Sequence, residues 1–474
     1  MDRNIKRMLA KESYSVKEVM KIIDDAGLGI AFIVDNENGF VGLVTDGNIR
    51  RAILKGASLG SPIKEVMNTD PVVVYDSWSN KKLKEFFSSR QVKEMIPEHG
   101  SMKVPVLDEN KRVKNIIFFS EKGYEGIDIE YGFKEKRGVN KVLVIGGAGY
   151  LGSVLSRKLL QKGYKVRVLD NLTYGDDGIR DLYNGDNFEF VKGDMRDIST
   201  VVDAIKGMDA VIHLAAIVGD PASALSPQKT IEVNYLATKL VAEVCKYHQI
   251  NRFISASTCS VYGASFTPDT RSDENSPLNP VSLYAEMKIK SEEGLLEMVD
   301  GNFAPTILRM ATLYGLSPRM RFDLVVNLLT AKAIFDNKIT IFGGSQWRPN
   351  LHVEDAAEAF IKCLDASIEK VRGEVFNVGS NEQNYRIAQI GEMIHDIIPN
   401  AKLETLEKDD ERNYNISFDK ISKVLGFGAM RCIKDGVLEI KQVVERGEIK
   451  DYKKEKYSNY KFLSKELSNT NEEK

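Results

Sequence analysis

The chain has little cysteine, no long apolar run and almost no net charge, and each absence removes a class of function. Its four cysteines, Cys245, Cys259, Cys363 and Cys432, form no CxxC pair and no zinc-ligand spacing. A reducing compartment suits them, and neither a disulfide nor a structural metal is expected. No apolar stretch approaches the roughly 20 residues that cross a bilayer. The N-terminus, MDRNIKRMLAKES, is charged and lacks a signal-peptide core, so a cytoplasmic protein without membrane contact is expected. With 66 Lys and Arg against 68 Asp and Glu, the formal charge is −2, and no general nucleic-acid surface is implied. What remains is an ordinary globular composition, 43% apolar and 28% charged, over 474 residues. That is too long for one core, and about 150 residues per domain suggests two or three units.

The most informative stretch is Lys141 to Asp170, KVLVIGGAGYLGSVLSRKLLQKGYKVRVLD. Val142 to Ile145 form an apolar strand, and Leu151, Val154, Leu155, Leu159 and Leu160 recur at helical spacing. Between them stand Gly146, Gly149 and Gly152 in the order of a dinucleotide fingerprint. One glycine makes the tight turn, one lets the backbone approach a pyrophosphate, and one lets the helix pack on the sheet. Asp170 ends the second strand where an acid is needed for the ribose hydroxyls. A carboxylate there accepts from a 2′-hydroxyl and repels a 2′-phosphate, which predicts NAD.

The N-terminal part carries an internal repeat. SVKEVMKIIDDA predicts an amphipathic helix behind a serine cap, followed by strands GIAFIVD and FVGLV and a helix opening at Thr45 and Asp46. The later helix SNKKLKEFFSSR and the strands of KVPVLDENKRV and NIIFF partly repeat that order, so two copies can bury each other's apolar faces. Residues 1–122 resemble a tandem cystathionine-β-synthase (CBS) domain. The resemblance implies an AMP or ATP site at Thr45 and Asp46, with Arg50 and Arg51 as phosphate partners. The second copy departs from the pattern at Phe119, Ser120 and Glu121. A bare helix cap at Asp46, with the module as an assembly surface, is the alternative. Residues 123–138 read as a linker, and the lysine-rich residues 448–474 as a mobile tail, with KFLSKEL a helical stub.

Between these segments strands and helices alternate, which predicts a doubly wound parallel sheet with ligands at the carboxyl ends of its strands. Tyr284 and Lys288, four residues apart on a predicted helix, project from one face. A phenol that serves as a base at pH 7 needs a nearby cation, and Lys288 is the candidate. The strand RFISAS leads into STCSVYG, whose Thr258 hydroxyl can share a substrate proton with the tyrosine.

In order, GGAGYLG, Asp170, GDMRD, HLAA, Asn234, STCSVYG and YAEMK resemble the extended short-chain dehydrogenase/reductases that act on nucleotide sugars. The likeness covers about residues 139–447, with a substrate-binding part from about 312. It implies a Rossmann fold in which Tyr150, Leu151, Asn171, Asp194, Met195, Leu214, Ala215, Ala216, Asn234 and Lys288 join the glycines at the cofactor. Thr258, Thr312, Arg319, Arg321, Arg348 and Arg412 are the expected substrate residues, the last two as a clamp on a diphosphate. His213 reads as structural or as lining the cofactor, and Cys259 as packing.

Two departures bear on chemistry. Ile145 stands where the family often has threonine, and Cys259 and Ser260 stand where its 4,6-dehydratases carry an Asp-Glu pair, which disfavours dehydration. SPRMRFDLVVN and RPNLHVEDAAEAF resemble a branch containing GDP-heptose 4-dehydrogenases and epimerase-like proteins. The first expectation is a nucleoside-diphosphate-sugar 4-epimerase, with a 4-dehydrogenase or a nucleotide sensor on a non-catalytic scaffold as alternatives. The likeness also implies a homodimer or homotetramer, through helices containing residues 228–248 and 282–300.

Overall fold

The structure, a computed structural model of the 474-residue chain, describes residues 5, 8–26, 29–89, 92, 102–119, 139–264, 270–300, 303–407 and 410–472. The expected linker, 123–138, and Ser120 and Glu121 lie outside the described residues. The chain separates into a unit of residues 1–137 with residues 300–302, and a second unit containing the remainder. Among the described residues no helix is long and apolar enough to cross a membrane.

The first unit holds two three-stranded sheets of one design. In one, Leu9–Lys11 pairs parallel with Ile30–Val34, which pairs antiparallel with Phe40–Thr45. In the other, Val74–Tyr75, Met102–Leu107 and Val113–Phe119 repeat that arrangement. The hairpins match in detail. Asp35 accepts from the amides of Glu37 and Gly39 (2.9 and 2.8 Å), and Asp108 from those of Asn110 and Arg112 (2.9 and 2.8 Å). Each turn then passes through a left-handed residue, Asn38 at φ 68° and Lys111 at φ 57°. Short Asp side chains that bond the backbone two residues on produce such turns, so DNENG and DENKR fold alike.

The second unit is built on a parallel sheet of seven strands: β1 (Lys141–Ile145), β2 (Lys165–Asp170), β3 (Phe188–Lys192), β4 (Ala210–His213), β5 (Arg252–Thr258), β6 (Ala304–Met310) and β7 (Val375–Val378). Their order is β7-β6-β5-β4-β1-β2-β3. Chain direction across the sheet therefore reverses between β1 and β4, and a crevice opens at their carboxyl ends. Alternation along β1 shows why the sheet is covered twice. Val142 and Val144 pack with Leu155, Leu159 and Phe360 on one face, while Leu143 and Ile145 pack with Val201, Val241 and Phe253 on the other. Helix α1 (Tyr150–Gln161) follows β1, and helix α2 (Leu283–Glu297) precedes β6.

The residues from Thr312 onward form two small sheets, Thr312–Tyr314 with Trp347–His352 and Asn384–Arg386, and Lys338–Phe342 with Lys402–Leu406. Helices Val325–Phe335, Ile387–Ile397 and Ile433–Glu445 enclose a separate core around Ile339, Ile390 and Val437.

The C-terminal segment differs from the mobile tail expected of it. Residues 459–472 form helix α3 (Asn459–Glu472), and Tyr452 and Leu463 are buried. The Phe322 amide donates to the Tyr457 carbonyl at 2.9 Å, and the Phe322 ring packs edge-on against Tyr452 and Tyr457. A few spaced aromatic residues in a lysine-rich stretch are enough to dock it, a signal that overall composition hides.

Candidate active site

The carboxyl ends of β1, β2, β4, β5 and β6 open into a cavity of about 920 Å³. At its floor, Gly146 has φ +86°, and a Cβ there would meet the Ala215 amide nitrogen at 2.6 Å. A Cβ on Gly152 would meet the Gly146 carbonyl oxygen at 2.3 Å. Only glycine lets the turn close against both β4 and α1. Gly149 is the N-cap of α1, so the first-turn amides and positive dipole end of a 12-residue helix face the cavity.

Asp170 ties the turn to β2. Its Oδ2 accepts from the Ala148 amide (3.0 Å) and its Oδ1 from the Leu172 amide (2.8 Å). Burial nonetheless holds its carboxyl above the ordinary aspartate range, opposed by these bonds and by Arg319. Tyr150, Leu151, Asn171, Asp194, Met195, Leu214, Ala215 and Ala216 line the same cavity. Asp194 is paired with Arg196 at 2.9 Å, and the Arg196 hydrogen bond pulls its carboxyl below the usual range.

Thr258 ends β5 and Tyr284 stands in the first turn of α2; both line the cavity, and Tyr284 is buried like Lys288. Ser282 caps α2 by accepting from the Ala285 amide, and its own hydroxyl donates to Asp220 Oδ1 at 2.7 Å. Burial raises the phenol of Tyr284, and the Asp220 carboxylate raises it further. Arg321 and Thr258 oppose that shift. Lys288 donates to the Ala256 carbonyl at 2.8 Å, and burial lowers its ammonium to about 8 against the pull of Glu292. Arg321 is thus one cation that acts on the phenol, while Lys288 lines the same cavity and is bonded to β5 through the Ala256 carbonyl.

Arg348 and Arg412 both reach the cavity and share one acid. Arg348 donates to Asp410 Oδ2 at 2.9 Å, and Arg412 grips Asp410 through Nε and a terminal nitrogen at 2.8 Å each. Arg412 also donates to Asp220 at 3.0 Å. Thr312, Arg319 and Arg321 line the cavity as well, and Arg321 is fixed by Asp323 at 2.8 Å.

Asn234, expected among the cofactor residues as a support of the catalytic helix, braces that helix without lining the cavity. It is fully buried in a π-helical turn, Glu232–Leu236, where its carboxamide bonds both backbone groups of Ile217 (2.7 and 2.9 Å). Its carbonyl accepts from Ser291 of α2 at 2.7 Å, so it braces the wall and the helix from behind. His213 is buried with Nε2 2.9 Å from the Thr238 hydroxyl, and Cys259 is buried with Sγ 3.3 Å from the Arg309 carbonyl.

Sequence reasoning missed Asp220, Ser282, Asp410 and Tyr414, all of which line the cavity. Ser282, directly before the predicted helix, carried an N-cap signal. The others converge from distant loops and left no local pattern. In the first unit, Thr45 caps the helix Asp46–Leu54 in a reciprocal box with Asn48 (2.9 and 3.2 Å). Asp46 acts electrostatically on Lys103, whose ammonium burial lowers, and Arg51 lies over Gly47.

The glycine cradle, the helix N-terminus and Asp170 fit a dinucleotide. A family model described as the NAD dependent epimerase/dehydratase family matches residues 142–379. The chain belongs to that family. Its cofactor is NAD. A CBS domain model matches residues 3–55, the first of the two copies. Relatives of this family member include dTDP-glucose 4,6-dehydratase of Streptomyces niveus, 28% identical over 318 residues, 63% of this chain and 91% of the relative. UDP-glucose 4-epimerase of Bacillus subtilis is 27% identical over 50% of this chain and 77% of its own length. Among solved structures, UDP-glucuronic acid 4-epimerase of Bacillus cereus, in complex with UDP-glucuronic acid and NAD, is 27% identical. It covers 64% of this chain and 99% of that one at a TM-score of 0.56.

Proposed function

We propose that this enzyme is a nucleoside-diphosphate-sugar 4-epimerase whose reaction begins by oxidising the sugar C4 hydroxyl. The observation that supports it most is that Thr258, Tyr284 and Lys288 line the same cavity as the glycine turn. Bound NAD supplies the hydride acceptor for C4 and the hydride returned to it. Tyr284 takes the C4 hydroxyl proton, with the Thr258 hydroxyl bridging tyrosine and substrate. Arg321 offsets the negative charge that develops on the phenol, and Asp220 holds Ser282 and therefore the start of α2. Lys288, poised near neutrality by burial, is the donor for the nicotinamide-ribose side. Arg348 and Arg412 clamp the diphosphate, exchanging the Asp410 carboxylate for phosphate oxygens.

The relatives include both epimerases and dehydratases, and the residues after Thr258 favour the first. Loss of water across C5 and C6 needs an extra acid and base. Here a buried thiol, held by burial well above its ordinary range, and a serine occupy those places.

The test is to supply candidate sugar nucleotides to the purified enzyme, identify products by NMR and follow the absorbance of NADH. Inversion at C4 without net NADH is expected. Stoichiometric NADH with a free 4-keto sugar would instead establish a 4-dehydrogenase, and a deoxy-keto sugar would establish a dehydratase.

A further inference from the structure

Two buried side chains in the cavity wall carry polar atoms without a hydrogen-bond partner among the described residues, and the C-terminal segment supplies one of them. Asn459, at the start of α3, is 4% exposed and its Oδ1 has no hydrogen-bond partner among the described residues. Arg319 is 5% exposed, and its Nε and one terminal nitrogen are likewise unpartnered among the described residues. Leaving such atoms unmade in a folded protein is costly, so a wall that keeps them implies a ligand that satisfies them.

Both residues are held in place by their surroundings. The Asn459 amide donates to Asp323 Oδ2 at 2.9 Å, and Asp323 in turn holds Arg321. One turn on, Leu463 is buried against Ile217 and Ala222 and also lines the cavity, while Phe462 packs edge-on against Tyr174 at 5.7 Å. The Arg319 guanidinium lies over that same Tyr174 ring at 4.5 Å. Its segment is bonded to the first turn of α1, with the Ser317 hydroxyl donating to the Tyr150 carbonyl at 2.7 Å and 3.0 Å from that of Ser153. A Cβ on Gly178 would meet the Ala148 carbonyl at 2.6 Å and Arg319 Cβ at 3.0 Å, which places the arginine beside the glycine turn.

We propose that the segment Tyr452–Leu463 is a wall of the NAD site, and that Asn459 and Arg319 bind the dinucleotide where its pyrophosphate meets a ribose. The guanidinium donates to a phosphate oxygen already facing the α1 amides, and a ribose hydroxyl donates to Asn459 Oδ1. The strap formed by Tyr452, Phe462 and Leu463 closes over the cofactor and slows its exchange. None of this depends on whether the enzyme is an epimerase.

The test uses the full chain stripped of nucleotide, with Arg319→Met, Asn459→Ala and a chain ending at Ser458. NAD binding is measured by calorimetry, exchange against labelled NAD by rapid desalting, and melting with and without NAD. Arg319→Met is expected to weaken NAD at least 10-fold and Asn459→Ala by about 2- to 10-fold, the range of a charged and a neutral hydrogen bond. Because these three atoms have no hydrogen-bond partner among the described residues, the nucleotide-free single variants should melt no lower than the parent, while the stabilisation by NAD shrinks. The shortened chain should exchange NAD at least 10-fold faster. Unchanged NAD affinity in both point variants, or a loss confined to sugar-nucleotide affinity, would overturn the assignment. A failure of C4 inversion with these NAD effects intact would count against the epimerase reading alone.

Discussion

At Tyr284, burial and Asp220 favour the protonated phenol, and Arg321 and Thr258 oppose them. A positively charged cofactor ring beside it would add to the groups that favour phenolate. Tyr284→Phe is therefore expected to melt with the parent and bind NAD as the parent does, while turnover falls by about 10²- to 10⁴-fold, the span of general acid-base catalysis. NMR assay beside calorimetry checks both halves. His213 gives a second residue-scale test, in which burial, then the Lys288 charge, lowers its imidazole to about 3. Between pH 6.5 and 3 the unfolded chain binds a proton that the folded chain refuses, so this residue subtracts stability as pH falls through that window. The full effect is about 5 kcal/mol. His213→Gln should flatten the acid limb of a urea-denaturation profile, and an unchanged limb would refute the assignment.

Helix α2 owes its position to a buried ion pair. Glu292 sits one turn past Lys288 and accepts from Arg309 of β6 at 2.7 Å and 3.1 Å, and from the Ser257 hydroxyl of β5. Arg309 also donates to the Tyr262 hydroxyl at 2.9 Å. Removing one partner leaves an uncompensated buried charge, so Arg309→Met should cost about 3 to 5 kcal/mol in chemical denaturation. The paired change Arg309→Met with Glu292→Leu should recover much of it, and additive losses would show that no such coupling exists. This anchoring also marks what was legible in the sequence. The glycine turn, Asp170 and the Tyr284 to Lys288 spacing are local patterns set by one strand-helix-strand run or one helix face, and could be read directly. Asp220, Asp410, Asn459 and the Glu292 to Arg309 pair meet only through tertiary packing of segments up to 239 residues apart, Asp220 to Asn459. No spacing rule reaches that far. The bond from Lys288 to a backbone carbonyl of β5 was illegible for the same reason.

At the scale of the whole molecule, the two hairpin copies in the first unit share turn chemistry down to the capping aspartate, yet only the first matches the CBS model. The Thr45 hydroxyl is committed to its own helix cap, which separates two roles that the sequence left joined. As a cap, Thr45→Ala costs about 1 kcal/mol with or without nucleotide. Asp46 takes no part in that cap, so the proposal that the repeat binds an adenine nucleotide is tested there. AMP or ATP at 100 times its dissociation constant should stabilise the full chain by about 2.7 kcal/mol, read as a rise in melting temperature of the first unit's transition. Asp46→Ala should abolish that rise while leaving the melting temperature without nucleotide unchanged. The same titration followed through C4 inversion tells whether binding is coupled to catalysis: a change in turnover that Asp46→Ala removes identifies a regulatory site. A rise in melting temperature that survives Asp46→Ala would place the nucleotide elsewhere, and no rise at all would leave the repeat an assembly surface.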